Sequence, residues 1–217
     1  MSRPFVIFDF DGTVADSFAE SLLAYNRVVP RLNLRQVSDD EVPSLRQMEA
    51  RQIMKALGVP MWKLPQLMIA LRTDFHRNGH SVRPVPGITM ALGALSAANC
   101  RLAMVTSNSE ENVRNFFSRH GIDHFETVVA GASMFGKATR LRKLLKGARV
   151  EAANAVYIGD TGPDIRAGRE AGTVAVAVSW GFSAAGPLMA EMPDALVDSA
   201  SELPGTILRL IGNRKSR

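Results

Sequence analysis

Two carboxylates stand close together near the start of the chain, in the string FVIFDFDGTVADS at residues 5–17. Asp9 and Asp11 directly follow a short apolar run that is typical of a buried strand. Residues at i and i+2 of an extended chain share a face, so both carboxyl groups can point at one reacting group. One can then attack phosphorus while the other donates a proton. Gly12 permits a sharp turn and a close approach to a ligand, and Thr13 adds a hydroxyl.

Three further strings place polar side chains where an apolar run ends. LAMVTSNS supplies Thr106, Ser107 and Asn108, SMFGKAT supplies Lys137, and AVYIGDTGPDIRAGREAG supplies Asp160 and Asp164. Carboxylates clustered in a loop suit Mg²⁺, and a lysine is a point charge suited to a phosphate oxygen. Each string also has a purely structural interpretation, in which the hydroxyls and aspartates cap helices.

Lys137 also ends the string GASMFGK, which begins at Gly131 and matches most of a phosphate-binding P-loop. Ala138 stands where that motif carries the Ser or Thr that binds the metal. The missing hydroxyl and the other strings lead us to reject a P-loop here.

Apolar runs that alternate with helix-like segments must position these side chains. The sequence predicts strands at 5–8, 102–106, 127–130, 155–158 and 174–178. It predicts helices at 87–98, 110–120, 137–146 and 164–171, with a closing helix near 201–211. This alternation predicts an α/β fold with a Rossmann-like parallel sheet core flanked by helices. Open sheets of this kind bind ligands at the carboxyl ends of their strands.

More than eighty residues separate the first predicted strand from the second, which is far longer than an ordinary connection in an α/β unit. The sequence predicts three helices there. The first is capped by Asp16 or Ser17 and runs to about residue 29, and the second follows a capping box of Ser38 and Glu41 and runs to residue 57. The third spans 60–78 and is interrupted at Pro65. We therefore expect a core domain of residues 1–15 and 84–217 and a small inserted α-helical cap domain of residues 16–83.

Composition narrows the class of protein. With 46% hydrophobic and 22% charged residues in 217, the chain is typical of a soluble globular protein with one core domain and a modest insertion. The formal net charge of +5 would suit an anionic substrate. Nucleic acid is disfavoured as a partner, because the few aromatic residues are not interleaved with the basic ones as stacking platforms would be.

Neither export nor membrane insertion is expected. Asp9 and Asp11 interrupt the first apolar run after a few residues. The longest uncharged stretch, 171–190, contains glycines and a proline, and we predict a buried strand followed by a loop there. The single cysteine, Cys100, fits a reducing compartment. These features favour a cytoplasmic protein.

The strings together resemble the motifs of a known superfamily. DFDGT resembles the DxDGT signature of the phosphatases among the haloacid dehalogenase-like hydrolases (HAD superfamily), and the strings around Thr106, Lys137 and Asp160 resemble its other motifs, in the same order. The resemblance covers nearly the whole predicted core and most favours the phosphoglycolate phosphatase-like members. The insert is similar to the small helical cap of the superfamily's first subclass. The resemblance implies a HAD-type core and an Mg²⁺-dependent hydrolase that acts on a small phosphate monoester through an aspartyl-phosphate.

The same resemblance implies roles for individual residues. Asp9 would be the nucleophile and Asp11 the general acid and then the general base, while Thr106 and Lys137 would bind the transferring phosphate. The remaining candidates are Thr13, Ser107 and Asn108 for substrate, and Asp9, Asp160, Asp164 and the backbone carbonyl of Asp11 for Mg²⁺. Ala138 departs from many relatives, which have proline after this lysine.

Substrate choice is expected to lie in the insert. Residues 16–83 contain ten Lys or Arg against seven Asp or Glu, which favours an acidic substrate. Arg46, in VPSLRQ ahead of the second predicted helix of the insert, lies roughly where relatives have a specificity loop and is our candidate there.

Several alternatives stay open. Dehalogenases of the superfamily lack the second aspartate, so Asp11 argues against that activity, but phosphomutases share all the motifs. A phospho-acceptor signalling module or a non-catalytic binding protein would carry a similar set of side chains. Signalling modules, however, are shorter, and they lack both a cap and an acid at the position of Asp11. We expect a monomer or a homodimer.

Overall fold

The computed structural model describes residues 3–78, 81–131 and 136–215. The strands are β1 (Phe5–Phe8), β2 (Ala15–Asp16), β3 (Arg83–Pro84), β4 (Arg101–Val105), β5 (Phe125–Val129), β6 (Ala155–Gly159), β7 (Val174–Val178) and β8 (Ala195–Val197). The helices are α1 (Phe18–Val28), α2 (Val42–Leu45), α3 (Ala50–Ala56), α4 (Leu64–Asn78), α5 (Ile88–Ala97), α6 (Glu110–His120), α7 (Lys137–Ala148), α8 (Gly162–Ala171), α9 (Ala185–Ala190) and α10 (Leu203–Lys215).

A parallel sheet of order β5-β4-β1-β6-β7-β8 forms the centre of the described part of the chain. Strand β1 lies in the middle, and Phe8 pairs with Met104 on one side and Ile158 on the other. Successive side chains of a strand point to opposite faces, so Val6 and Phe8 join one apolar cluster and the other two residues of β1 join a second. Helices therefore cover both faces, as a parallel sheet requires.

The two clusters identify the helix layers. One face of the sheet packs on α5, α6 and α10 through residues such as Leu92, Phe116 and Ile207. The other packs on α7 and α8 through Leu141 and Ala167. The predicted α/β fold class is confirmed, and each of the five predicted strands is present with ends displaced by at most two residues.

Two elements after β7 were not predicted. Residues 185–190, which we expected within a loop, form helix α9, and β8 is a three-residue edge strand. Strand β8 pairs with β7, from Val176 opposite Ala195 to Val178 opposite Val197. The sequence does not predict this strand, because three residues carry too little periodicity to identify one.

Helices α1 to α4 lie between β2 and β3, in a region that we call the cap segment (residues 17–82). The chain enters and leaves this segment through an antiparallel pair in which Asp16 is opposite Arg83. The cap segment has an apolar cluster of its own, which includes Tyr25, Leu57 and Leu67. The division into core and cap domains at these positions stays a prediction.

The prediction of one continuous helix up to residue 57 is wrong. The capping box of Ser38 and Glu41 is present but opens a 3₁₀ turn, which is followed by the short helix α2. The backbone is then extended at Glu49, which forms a second capping box with Gln52 at the start of α3. Pro65 lies in the first turn of α4, where its missing N–H leaves no hydrogen bond unmade.

No helix in the described residues is both long and apolar enough to span a lipid bilayer.

Candidate active site

The predicted site residues meet at the carboxyl ends of neighbouring strands. Asp9 follows β1, Thr106 follows β4 and Asp160 follows β6, and the register of β1 with both neighbours places these strand ends side by side. Lys137 is the first residue of α7, and Asp164 lies in the first turn of α8.

Asp9, Asp160 and Asp164 form a buried carboxylate cluster. One oxygen from each lies within 4.8 Å of the others. The Nζ of Lys137 lies 3.1 Å from Asp9 Oδ2 and 2.5 Å from Asp164 Oδ1. One ammonium thus faces three carboxylates in a region where charges are poorly solvated, and negative charge remains in excess.

Burial and the excess of negative charge together raise the pKa values of Asp9 and Asp160. Burial, with the nearby Asp164 carboxylate adding to it, raises the pKa of Asp9 from 3.8 to about 7, although Lys137 opposes the change. Burial and the charges of Asp164 and Asp9 raise the pKa of Asp160 well above its ordinary value. Burial alone would lower the pKa of Lys137, but Asp164 and Asp9 outweigh it and raise that pKa well above 10.5.

The cluster fits a hard divalent cation. Its donors are carboxylate oxygens, which Mg²⁺ and Ca²⁺ prefer. A dication would offset the charge that Lys137 leaves unbalanced and would favour the ionised carboxylates against the burial that raises their pKa values. Asp9, Asp160 and Asp164 are the residues that would hold it.

Asp160 is fixed by contacts from two loops that are distant in sequence. Its Oδ1 accepts a hydrogen bond from the Thr13 hydroxyl at 3.1 Å, and its Oδ2 accepts one from the Phe182 amide at 2.7 Å. Gly12 has a φ of +73°, and a Cβ on it or on Gly181 would lie 2.2 Å from Asp160 Oδ2. Both positions therefore require glycine for this carboxylate to keep its place.

Asp164 is held from two sides. Its Oδ1 accepts hydrogen bonds from Lys137 and, at 3.2 Å, from the Tyr157 hydroxyl. Its Oδ2 accepts from the amide and the hydroxyl of Thr161, the N-cap residue of α8. Asp164 thus caps α8, as the structural interpretation predicted, and also belongs to the carboxylate cluster.

Asp11 lies outside the cluster, next to Asn108. The Asn108 Nδ2 donates to Asp11 Oδ2 at 2.9 Å. Burial raises the pKa of Asp11, and the hydrogen bonds from Asn108 and Ser17 oppose the rise. A carboxyl group with a raised pKa retains its proton more readily near neutral pH, which suits a proton donor.

Thr106 is buried, and its Oγ1 accepts a hydrogen bond from the Asn108 amide at 3.0 Å. Its hydroxyl proton is thereby directed away from that amide and can be donated to a ligand. The cap of α6 is Ser109, whose hydroxyl accepts from the Asn112 amide, so the capping interpretation of Thr106 and Ser107 is wrong. Ser107 is exposed in the turn between β4 and α6.

Ser17, expected to cap α1, does not do so through its side chain. Its hydroxyl instead accepts a hydrogen bond from the Gly12 amide at 3.2 Å and helps to shape the loop after β1. The rejected P-loop string includes residues 132–135, which lie outside the described residues.

Arg46 lies at the end of α2 and faces the core rather than solvent. Its Nη2 donates to the backbone carbonyls of Ser179 at 3.1 Å and Gly181 at 2.7 Å. Its Nε is buried and makes no hydrogen bond within the described residues. Direct contact between Arg46 and substrate stays a prediction.

Sequence reasoning missed Tyr157 and the loop after β7. Tyr157 is fully buried in β6 and bonds to Asp164, and a hydroxyl within the otherwise apolar string AVYIG was the available signal. Trp180 donates from Nε1 to the Thr13 carbonyl at 3.2 Å, so it packs beside the site. The Phe182 amide carries no signal of its own in the sequence, because every residue except proline has one.

A cavity of about 280 Å³ opens beside Asp11, between α6 and the end of the cap segment. Phe10, Phe75 and Phe116 contribute apolar walls, and Asn112 and Arg119 contribute polar ones. It is large enough for a small organic group attached to a phosphate held at the strand ends.

Comparisons with known proteins agree with this geometry. The sequence pattern of the family described as haloacid dehalogenase-like hydrolase matches residues 6–178. A phosphoglycolate phosphatase from Synechococcus elongatus is 30% identical over 207 residues, which are 95% of this chain and 98% of that protein. A phosphoglycolate phosphatase from Vibrio parahaemolyticus is 28% identical, over 91% of this chain and 93% of its own.

Solved structures show the same fold. The haloacid dehalogenase-like family hydrolase from Streptococcus pneumoniae superposes with a TM-score of 0.79 at 19% identity. The match covers 94% of this chain and 98% of that one, so it includes the cap segment as well as the sheet.

Proposed function

The chain belongs to the haloacid dehalogenase-like hydrolase family and is a phosphatase, and from this premise we propose that it hydrolyses a small phosphate monoester through an aspartyl-phosphate on Asp9, with Mg²⁺ as its cation. The observation that carries the proposal is the buried cluster of Asp9, Asp160 and Asp164 around Lys137, with Asp11 beside it. A nucleophile, a cation site and a proton donor are then all present at one edge of the sheet.

In the first step, an oxygen of Asp9 attacks phosphorus and the bond from phosphorus to the ester oxygen breaks. Asp11 transfers its proton to the departing oxygen. The raised pKa of Asp11 supports this role, and the hydrogen bond from Asn108 Nδ2 fixes one carboxyl oxygen and so orients the group.

In the second step, water attacks the phosphorus of the aspartyl-phosphate and gives a proton to Asp11, which is now a base. The bond from phosphorus to Asp9 breaks, inorganic phosphate leaves, and both aspartates return to their starting states. The Asp11 side chain thus serves both half-reactions.

The charge of the phosphoryl group is balanced by groups that are already in place. The ammonium of Lys137 lies 3.1 Å from Asp9 Oδ2, within reach of a phosphoryl group transferred to that carboxylate, and the hydroxyl of Thr106 can donate to a phosphoryl oxygen. Preorganised donors of this kind supply most of the stabilisation in phosphoryl transfer. Bound Mg²⁺ would supply a Lewis acid that offsets the repulsion between Asp9 and the phosphate dianion. Thr13, which bonds to Asp160, serves the cation site, and Asn108 lines the cavity beside Asp11. Contact between Ser107 and substrate stays a prediction.

The substrate we propose is a phosphate ester of a small acid, such as phosphoglycolate. The leaving group must begin at Asp11, and the cavity there has a volume of about 280 Å³, near the lower end of the range for ligand pockets. Its charged lining beyond Asp11 consists of Arg119, which could pair with an acid group of the substrate, and Glu111. The names of the relatives support the same substrate.

The test is release of inorganic phosphate from a panel of esters that includes phosphoglycolate, sugar phosphates and p-nitrophenyl phosphate, in MgCl₂ or in EDTA. We expect turnover only with metal, its loss in Asp9→Asn, and a preference for phosphoglycolate. Asp123→Asn, at a side chain that is 95% exposed, is the matched control. Metal-independent turnover, or full activity of Asp9→Asn, would refute the mechanism. Phosphorylation of Asp9 without release of phosphate would instead favour a phosphomutase.

A further inference from the structure

Arg46 joins the cap segment to the loop between β7 and α9 (residues 179–184, here called the β7–α9 loop). Besides the two hydrogen bonds from its Nη2, its own carbonyl accepts one from the Ala184 amide at 2.8 Å. Side chain and main chain of one cap residue thus hold both ends of this loop. Hydrogen bonds from a guanidinium are stronger than neutral ones, which makes this a firm connection.

The β7–α9 loop in turn holds Asp160. The Phe182 amide donates to Asp160 Oδ2 at 2.7 Å, and the Ser183 amide donates to the Asp160 carbonyl at 3.2 Å. Gly181 packs so closely on the same carboxylate that a Cβ would overlap it. A displacement of the loop would therefore displace one of the carboxylates proposed to hold Mg²⁺.

Aromatic packing connects the same two parts of the molecule. The guanidinium of Arg46 lies over the ring of Phe18 in α1, 5.3 Å from its centroid. Phe18 meets the ring of Phe182 edge to face, with centroids 5.4 Å apart. Phe182 is the residue whose amide binds Asp160, so this packing leads directly to the cluster.

An ion pair also joins the cap segment to the core, but it is a much weaker connection. Arg166 lies 3.7 Å from Glu49 but pairs more closely with Glu191, and both Arg166 and Glu49 are substantially exposed. Exposed pairs at such distances contribute little. Arg46 is therefore the stronger of these two connections between the cap segment and the core.

We infer that Arg46 is a positioning residue for the cation. By tying the β7–α9 loop to the cap segment, it sets the Phe182 amide and through it the Asp160 carboxylate, so that cation affinity depends on a side chain from the cap segment. The inference rests on the proposed function, because it concerns the Mg²⁺ proposed there. It assigns Arg46 an action through the loop, in place of direct contact with substrate.

The first test measures binding of Mg²⁺ alone, by isothermal titration calorimetry at pH 8 and without substrate. Arg46→Met keeps much of the aliphatic length but has no donor, and we expect its Kd for Mg²⁺ to rise by roughly tenfold, the lower end of the effect of outer contacts on metal sites. Arg46→Lys retains one cationic donor and should recover part of the affinity. Arg51→Met, an exposed arginine of α3, is the matched control and should bind as the parent does.

A second readout follows the loop itself. Trp180 lies in the β7–α9 loop, and the chain has one other tryptophan, the exposed Trp62. In a Trp62→Phe background, we expect Mg²⁺ to change Trp180 fluorescence, and Arg46→Met to shift the midpoint of that change to higher Mg²⁺. If Arg46→Met fails to fold, Phe18→Leu removes the ring between Arg46 and Phe182 and should weaken Mg²⁺ binding in the same direction.

The outcomes separate this inference from the proposed function. If the parent binds Mg²⁺ and folded Arg46→Met or Phe18→Leu binds it equally well, the inference is wrong and the proposed function stands. If the parent chain binds no Mg²⁺, both are wrong. If Arg46→Lys binds as weakly as Arg46→Met while Arg51→Met is unaffected, the positive charge and donor of Arg46 are not what matters, and the inference also fails.

Discussion

Magnesium should stabilise this protein far more at pH 8 than at pH 5. The reason is that the carboxylates proposed to hold it have raised pKa values in the folded protein. Asp9 is the clearest case, because burial first and the charge of Asp164 second raise its pKa from 3.8 to about 7.

Without metal, the raised pKa makes the folded protein less stable as pH increases. Between about pH 4 and pH 7 the Asp9 carboxyl is ionised in the unfolded chain but still protonated in the folded one, so the folded state binds more protons and the free energy of unfolding falls. At 1.36 kcal/mol per pKa unit, the full loss is about 4 kcal/mol. It is absent below about pH 4 and complete above about pH 7.

Mg²⁺ offsets much of this loss, because it binds ionised carboxylates and competes with their protons. At pH 8 and a concentration of 100 Kd, it should add about 2.7 kcal/mol to the free energy of unfolding. For a chain of this size that corresponds to a rise in Tm of about 5–11 °C. At pH 5 the proton on Asp9 weakens Mg²⁺ binding by about a hundredfold, and the same concentration should add less than about 1 kcal/mol.

Differential scanning calorimetry in EDTA or MgCl₂ at both pH values measures the difference. Asp160→Asn should lose the Mg²⁺ effect at pH 8, whereas Asp123→Asn should keep it. An equal rise in Tm at pH 5 and pH 8 would refute the reasoning, since it would mean that binding of Mg²⁺ does not displace a proton from the cluster.

Two further substitutions test the packing around the cluster. Tyr157→Phe removes the hydrogen bond to Asp164 and should lower the free energy of unfolding, measured by urea titration, by about 1.5–3 kcal/mol. Unchanged stability would show that this contact is not formed. Gly12→Ala puts a Cβ 2.2 Å from Asp160 Oδ2 at a φ of +73°. It should abolish Mg²⁺ binding detectable by calorimetry and lower the free energy of unfolding by at least about 1 kcal/mol. Normal Mg²⁺ affinity in this variant would contradict our account of Asp160.

The site could be predicted from the sequence where local patterns determine it. Three of the candidates directly follow an apolar run, and in a parallel sheet the ends of such runs meet at one edge. That reasoning located Asp9, Thr106 and Asp160 without any knowledge of the tertiary structure. It worked because strand and polar end are adjacent in sequence.

Contacts between distant parts of the chain could not be predicted in this way. The partners of Asp160 are the Thr13 hydroxyl and the Phe182 amide, and nothing in either local sequence indicates that they meet. The same holds for Arg46, whose carbonyl partners belong to a loop more than a hundred residues later. Strand β8 is likewise defined by its pairing with β7 rather than by its own three residues.

The most direct test of the central claim is to trap the phosphoryl group on Asp9. In Asp11→Asn, p-nitrophenyl phosphate needs no proton donor because nitrophenolate is a good leaving group, whereas hydrolysis of the intermediate still needs a base. After a single turnover with Mg²⁺ and an acid quench, mass spectrometry should find one added phosphoryl group, on the peptide containing Asp9. Release of nitrophenolate with no phosphorylated protein, or a phosphoryl group on another residue, would contradict the account.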